Sequence, residues 1–389
     1  MWGKLDGDSC FLVSAELDTK QRSWLYREFK KGNLVRLAPG VFVTLHDYQQ
    51  VTSQSGQRQI IASQVAGARK AIVVGRSAAL LHMLAEPWPP AHHEQGIPSV
   101  ELGRIDCAAK TRHGRITRHP FEYSPHVVFR HVSTGVWERA VTVQTEYGEI
   151  LTASIPDVVT QLAMWHARDK GLARACIAAE DALNRGVISW REFLPEKLMP
   201  AFASRAGNVV AKEAFNLITP WSESPRETEL KLAMWEAGFP PPFQQVVIRR
   251  RDGRFVGRVD FLFPCGLVVE YDGVAKHTGL LAQDSKVMAS SEITSNEWLN
   301  ATSEIAPLAQ EAARVSILRE RERERQIIAL GYEVVRVDRH SFRDGSAIES
   351  IGQRLTWLEE HPRPFMNDWN WTAAGKAWKQ CGDQDWLPA

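Results

Sequence analysis

The stretch GRVDFLFPCGLVVEYDGVAKH, residues 257–277, decides how the C-terminal part of this chain is read. Two apolar, β-branched runs flank a short Pro264-Cys265-Gly266 turn, which predicts a pair of antiparallel strands. Alternation along VGRVDFLF places Arg258, Asp260 and Leu262 on one face, and LVVEYDG places Glu270 and Asp272 together. With so short a turn, Asp260 can approach Glu270. Burying like-charged carboxylates costs several kcal/mol or more unless a cation compensates them. Hard divalent ions take oxygen ligands of this kind. Lys276 and His277 follow closely, one suited to stabilising phosphoryl charge and the other to carrying a proton or touching a substrate. The bland alternative pairs Asp260 with Arg258 or Arg336 and makes Asp272-Gly273 a simple turn. It serves Glu270 poorly, since Leu267, Val268, Val269 and Tyr271 surround that residue.

Working outward, SPRETELKLAMWEAGF predicts a helix capped by Ser224, with Pro225 at its first position and Glu227 closing a capping box. QQVVIRRRDG and RFVGRVDFLF read as strands, ILRERERERQIIALG as a charged helix, and YEVVRVD as a final strand. The polar stretch between residues 274 and 310 is too long for a simple connection and is expected to hold a partly helical flap or mobile insertion. Alternating charges from Arg319 to Arg325 also fit a solvent-facing helix laced with ion pairs.

Near the N-terminus, FLVSAEL is expected to form a short helix and QRSWLYREFKKG a second, capped by Thr19 and stopped by Gly32. Trp24, Leu25, Phe29 and Leu34 are read as its apolar side, with Arg22, Arg27, Lys30 and Lys31 around the other. NLVRLAPGVFVTL then predicts two strands around Pro39-Gly40. Helices followed by a small hairpin have the layout of a winged helix-turn-helix; a small capping subdomain with solvated basic residues is the plain alternative. In the middle, GRSAALLHML and PDVVTQLAMWHA are helical by spacing, ARACIAAEDALNRGVISWREF reads as a helix stopped at Gly186 with a turn into another capped by Ser189, and VELGRIDCAAK and EYSPHVVFRHV read as strands. The basic run RHGRITRH, residues 112–119, reads as a solvated loop or a phosphate contact. His82 is expected to be packed or hydrogen-bonded. The tail after residue 354 carries Trp369, Trp371, Trp378 and Trp386, expected to pin it to the body or to meet a partner.

Composition narrows the classes. A 389-residue chain with 44% hydrophobic and 24% charged residues is globular and large enough for several domains. Its net charge of +1 supplies no global field toward nucleic acid, so such binding would rest on local patches. The five scattered cysteines fit a reducing, cytoplasmic setting and carry no zinc-site spacing. No apolar run is long enough to span a bilayer, and the first residues lack a signal-peptide pattern.

Two resemblances sharpen these expectations. TKQRSWLYREFKKGNLVRLAPGVFV resembles the N-terminal winged-helix module of AbiEi-type antitoxins, through Gly32, Leu34, Arg36, Gly40, Val41 and Phe42, the last standing where tyrosine is usual. The resemblance implies DNA contact through Arg22, Arg27, Lys30, Lys31 and Arg36. Residues 155–193 and SAALLH resemble the connector region of the same proteins. The C-terminal segment resembles the DUF559 and very-short-patch-repair-like branch of the PD-(D/E)xK nucleases, through Asp260-Phe261, Pro264, residues 267–273 and residues 331–337. Glu320, Arg323 and Glu324 fall at that family's acidic and Arg-Glu helix positions, and Gln245 falls near a glutamine position of many members. That resemblance implies a metal-dependent DNA endonuclease using Mg²⁺ or Mn²⁺, with Asp260 and Glu270 as ligands and Glu227 reaching the ion directly or through water. Asp272 stands where the superfamily has lysine, so Lys276 is expected to replace it, and Arg323 and His277 to touch DNA. Expected partners are DNA and a second copy or a defence complex; restriction, phage defence and repair are the settings implied. The alternative is an antitoxin-like DNA-binding regulator that retains a non-catalytic nuclease fold.

The expected architecture is α/β and multidomain: a winged helix-turn-helix at 1–57, a mixed helix and strand connector at 58–221, a restriction-endonuclease-like α/β core at 222–345, and a helical, tryptophan-rich tail at 346–389.

Overall fold

A computed structural model describes residues 2–4, 10–13, 17–38, 41–50, 71–87, 104–109, 126–145, 148–193, 205–272, 318–362 and 370–378. The chain is mixed α/β and divides into two compact units, Met1–Pro220 and Trp221–Ala389.

In the first unit, β1 (Trp2–Lys4), β2 (Cys10–Val13), β3 (Leu34–Ala38) and β4 (Val41–Thr44) form one sheet in the order β1-β2-β4-β3. The helix expected at FLVSAEL is therefore a strand over its first residues. Cys10–Val13 runs antiparallel to both β1 and β4, with Leu12 opposite Phe42, and that pairing outweighs the weak local helix preference. Helix α1 (Thr19–Lys30) begins at Asp18, one residue before the expected Thr19 cap, because Asp18 and Gln21 form a reciprocal capping box. It buries Leu25 against Leu34 and Phe42, with Leu17 and Phe29 alongside. Trp24, expected on this apolar side, is 46% exposed. It lies one position from Leu25, on a different face of the helix. A short helix, α2 (Leu45–Gln50), follows β4.

A second sheet in this unit runs β7-β6-β5-β9-β8, built from β5 (Ala71–Val73), β6 (Arg104–Ala109), β7 (His126–Phe129), β8 (Val141–Thr145) and β9 (Gly148–Thr152). Helices α3 (Gly75–Leu81), α4 (Thr134–Glu138), α5 (Ile155–Met164), α6 (Arg168–Asn184), α7 (Trp190–Phe193) and α8 (Asn208–Leu217) complete it. The α5 and α6 helices approach closely: a Cβ on Gly171 would sit 2.5 Å from the Ala163 carbonyl oxygen. His82 is hydrogen-bonded inside, its Nε2 lying 2.8 Å from the Ala153 oxygen and 3.0 Å from Thr152 Oγ1. Burial holds its pKa below the ordinary value. RHGRITRH lies outside the described residues.

The second unit opens with α9 (Pro225–Glu236) and continues through β10 (Phe243–Arg249), β11 (Phe255–Leu262) and β12 (Leu267–Tyr271). Helix α10 (residues 318–329), β13 (Glu333–Val337), α11 (Arg339–Arg343) and α12 (Ser346–Glu360) follow. The sheet order is β13-β12-β11-β10-β14, with β14 (Asn370–Thr372) and β15 (Gly375–Lys376) both pairing with β10. Among the described strands of this sheet, only the β12–β13 pair is parallel. The tail, expected to be helical, thus also adds two short strands to this sheet. Trp371 packs against Phe243 with ring centroids 4.8 Å apart, and Trp378 is buried. Trp369 and Trp386 lie outside the described residues.

The β10–β11 pair is irregular beside Asp260. Phe243, Val246 and Ile248 all pack into one core cluster, so the two-residue alternation of β10 slips between 243 and 246. Val259 and Leu262 show the same slip on β11. At the slip, Gln245 has a φ of 49°, a left-handed conformation that costs a non-glycine residue about 1–3 kcal/mol. The ladder pairs Gln244 with Phe261 and Val246 with Val259 but skips Gln245 and Asp260.

Candidate active site

Sheet register assembles the site. Phe261 pairs with Val269 and Leu262 with Val268, which carries Asp260 toward Glu270 on the neighbouring strand. Glu270 in turn pairs with Arg336 across the parallel β12–β13 ladder. Gln245, Asp260, Glu270 and Arg336 therefore form a row across four adjacent strands. At Asp260 the side chain enters the ladder, its Oδ2 accepting the Tyr271 backbone N–H at 3.0 Å.

Helix α9 delivers Glu227 to this row. Ser224 Oγ accepts the Glu227 backbone N–H at 3.2 Å and donates to its Oε1 at 2.9 Å. Instead of closing the expected box on the Ser224 backbone, Glu227 Oε2 accepts the Glu223 N–H at 2.9 Å and the Gln245 side-chain amide at 3.0 Å. Burial, and after it the charge of Asp260, push the Glu227 carboxyl up to about 7.

Glu270 meets arginine. Arg323 Nη2 donates to both of its oxygens at 2.8 and 2.9 Å, and Arg336 Nη2 lies 3.4 Å away. Burial still raises this carboxyl to about 7, against the downward pull of the two guanidiniums. Arg323 reaches the site by lying across β11: a Cβ on Gly257 would come within 3.0 Å of Arg323 Cδ. Its Nη1 also donates to the Arg258 carbonyl at 2.7 Å. Arg336 gathers further carboxylates, with Asp272 and Glu320 at 2.7 Å and Glu324 at 3.0 Å.

The expected residues divide accordingly. Asp260 lies near both Glu227 and Glu270, and its charge raises the pKa of each. Asp272 is tied to Arg336, the partner that the bland reading offered Asp260, while Arg258 pairs with Glu223 at 2.6 Å. Arg323 is at the centre, with its guanidinium on Glu270. Lys276 and His277 lie outside the described residues. Among the described residues, no group of three or more His, Cys, Asp or Glu side chains is arranged to hold a metal ion.

The N-terminal basic residues sit on α1 and β3: Arg27, Lys30 and Lys31 are exposed and Arg36 is half-buried. Arg22 is turned back, its Nε donating to the Leu17 carbonyl at 2.8 Å, and Lys31 pairs with Glu28 at 2.8 Å.

Sequence reasoning missed the bond from Gln245 to Glu227 and the full burial of Lys231, one helical turn beyond Glu227. Lys231 stands i+4 from Glu227 and so shares its helix face. No local signal marked the Gln245 bond, since glutamine does not favour a left-handed backbone. No described helix is long and apolar enough to cross a membrane. Compared with known proteins, the chain matches no family model and no curated sequence.

Proposed function

We propose that the second unit is a metal-dependent DNA endonuclease that hydrolyses phosphodiester bonds. The observation that carries this reading is Asp260 standing near two buried glutamates, Glu227 and Glu270, its charge raising the pKa of each. Both glutamates are raised to about 7, chiefly by burial, an arrangement that favours protonation or a bound cation. Their all-oxygen chemistry is that of a Mg²⁺ or Mn²⁺ site, but as placed they form no three-ligand group, so Asp260, Glu270 and Glu227 would have to close on the ion to hold it. Such an ion supplies Lewis-acid polarisation of a phosphate oxygen and a more acidic bound water.

The chain's own residues do the remaining work. The Ser224 hydroxyl, the Glu223 N–H and the Gln245 amide fix both oxygens of Glu227. Arg323 neutralises Glu270, a role that a cation held by the same carboxylate would take over. Released from Glu270, its guanidinium is suited to phosphate, which it can grip with two parallel hydrogen bonds. The exposed side of α1 would add DNA contact from the first unit.

The second reading, a DNA-binding regulator with a non-catalytic fold, is favoured by that same arginine pair, since a neutralised Glu270 needs no metal. Supercoiled plasmid with Mg²⁺ or Mn²⁺ separates the two. Nicked or linear product that disappears with chelator and in Glu270→Ala supports the nuclease. Intact plasmid that remains bound by the protein supports the regulator.

A further inference from the structure

The strands β10 and β11 meet in a turn whose sequence is Arg249-Arg250-Arg251-Asp252-Gly253-Arg254-Phe255. Gly253, at φ +85°, lets the chain reverse tightly, with Arg250 N–H bonding the Arg254 carbonyl at 2.8 Å and Gly253 N–H the Arg250 carbonyl at 2.9 Å. Four arginines are thereby gathered against one aspartate. Arg250, Arg251 and Arg254 are exposed, and Phe255 beside them is 61% exposed, unusual for an aromatic on a strand.

The tip is braced. Asn370 from β14 donates to the Arg250 carbonyl at 3.2 Å, and Arg250 Nη2 donates to Gln326 Oε1 on α10 at 3.2 Å. From Gln326 a groove of about 420 Å³ runs along α10, lined by Val256, Leu318, Arg319, Glu322, Arg323 and Gln326. Arg323, in its wall, is the residue whose guanidinium grips Glu270. A cationic hairpin, an open groove and the carboxylate row are thus joined through side chains that touch.

We infer that this hairpin tip and the adjoining face of α10 form a binding surface for the phosphate backbone of duplex DNA, leading it to Arg323 and Glu270. The inference rests on the nuclease reading for the direction of that track. Its chemistry stands on the local charge: a concentrated arginine cluster on a chain of net charge +1 is suited to a polyanion. Arginine forks fit phosphate oxygens, and the exposed Phe255 offers an apolar contact to sugar or base.

Binding of the full-length chain to a labelled duplex, in EDTA and across a salt series, tests it without requiring cleavage. The variants are Arg250→Ala with Arg251→Ala and, because Arg250 also touches Gln326, Arg251→Ala with Arg254→Ala. An Arg27→Ala, Lys31→Ala background removes the contribution of α1. Each pair should weaken binding roughly tenfold and reduce the slope of log K against log salt by about 1 to 2, as expected for one or two lost phosphate contacts. The melting temperature should stay at the wild-type value. Unchanged affinity and slope in both folded variants overturn the inference, as does a wild-type chain that binds no duplex at about 50 mM salt. Weakened binding in a chain that never cleaves plasmid upholds this surface and defeats the nuclease reading alone. Metal-dependent cleavage with unaltered binding defeats the surface alone.

Discussion

Gln245 donates its side-chain amide to Glu227 across 3.0 Å from a backbone held at a φ of 49°. The strain and the bond belong to one feature, the slip in β10 that turns this amide toward the carboxylate. Gln245→Gly should relieve the left-handed cost while deleting the amide, leaving the melting temperature at or above wild type as plasmid cleavage falls. Gln245→Ala keeps the strain and loses the bond, so it should destabilise by about 1–2 kcal/mol. Thermal melts and cleavage rates on the same preparations check both. Full cleavage by the glycine variant would remove Gln245 from the account.

In the Arg323–Glu270 pair the Glu270 side chain is buried, 8% exposed, while Arg323 is 22% exposed. Arg323→Ala leaves that carboxylate facing Arg336 alone, and the expected loss is about 2–4 kcal/mol of unfolding free energy. Adding Glu270→Gln to it should recover much of the loss, because a neutral amide needs no counter-charge. Denaturant titration of the single and double variants measures the coupling. Additive losses would show that the pair contributes little.

His82 gives a pH dependence to the first unit. Its pKa lies below the ordinary 6.5 because burial disfavours the imidazolium, so the unfolded chain takes up the proton first. The associated stability is present above pH 6.5 and is lost as pH falls through the lowered folded value. Wild type should therefore lose stability on acidification more steeply than His82→Gln, measured by urea unfolding from pH 7.5 to 5. Parallel pH profiles would exclude His82 as a source of the dependence.

On α1, Trp24→Ala should cost under about 0.5 kcal/mol because the indole is largely at the surface. Leu25→Ala, which empties the centre of the Leu34–Phe42 cluster, should cost about 2–4 kcal/mol. Chemical denaturation of the two variants decides the side on which this helix packs. The reverse ranking would restore Trp24 to the core.

Much of the second unit is readable from local pattern. The capped start at Ser224, the alternation in RFVGRVDFLF and the apolar run before Glu270 mark α9, β11 and β12, and the short Pro264-Cys265-Gly266 turn brings Asp260 near Glu270. What escapes is set by tertiary pairing. FLV at 11–13 becomes a strand because β4 offers it a ladder, and Asn370–Thr372 does so because β10 has a free edge. The run Arg319 to Arg325 alternates sign so evenly that only α10 packing on the sheet singles out Arg323 for Glu270. Strict alternation also fails at Asp260, where the paired slip with Gln245 rearranges which side chains share a face.

The most direct test of the central claim is binding of Mn²⁺ itself, followed by electron paramagnetic resonance on the full-length chain at pH 8, without DNA. The account predicts saturable binding of one ion per chain that is lost in Asp260→Asn and in Glu270→Ala, both shown to be folded by their melts. Wild-type protein that takes up no Mn²⁺, or variants that bind it as well as wild type, would contradict a metal site at Glu227, Asp260 and Glu270.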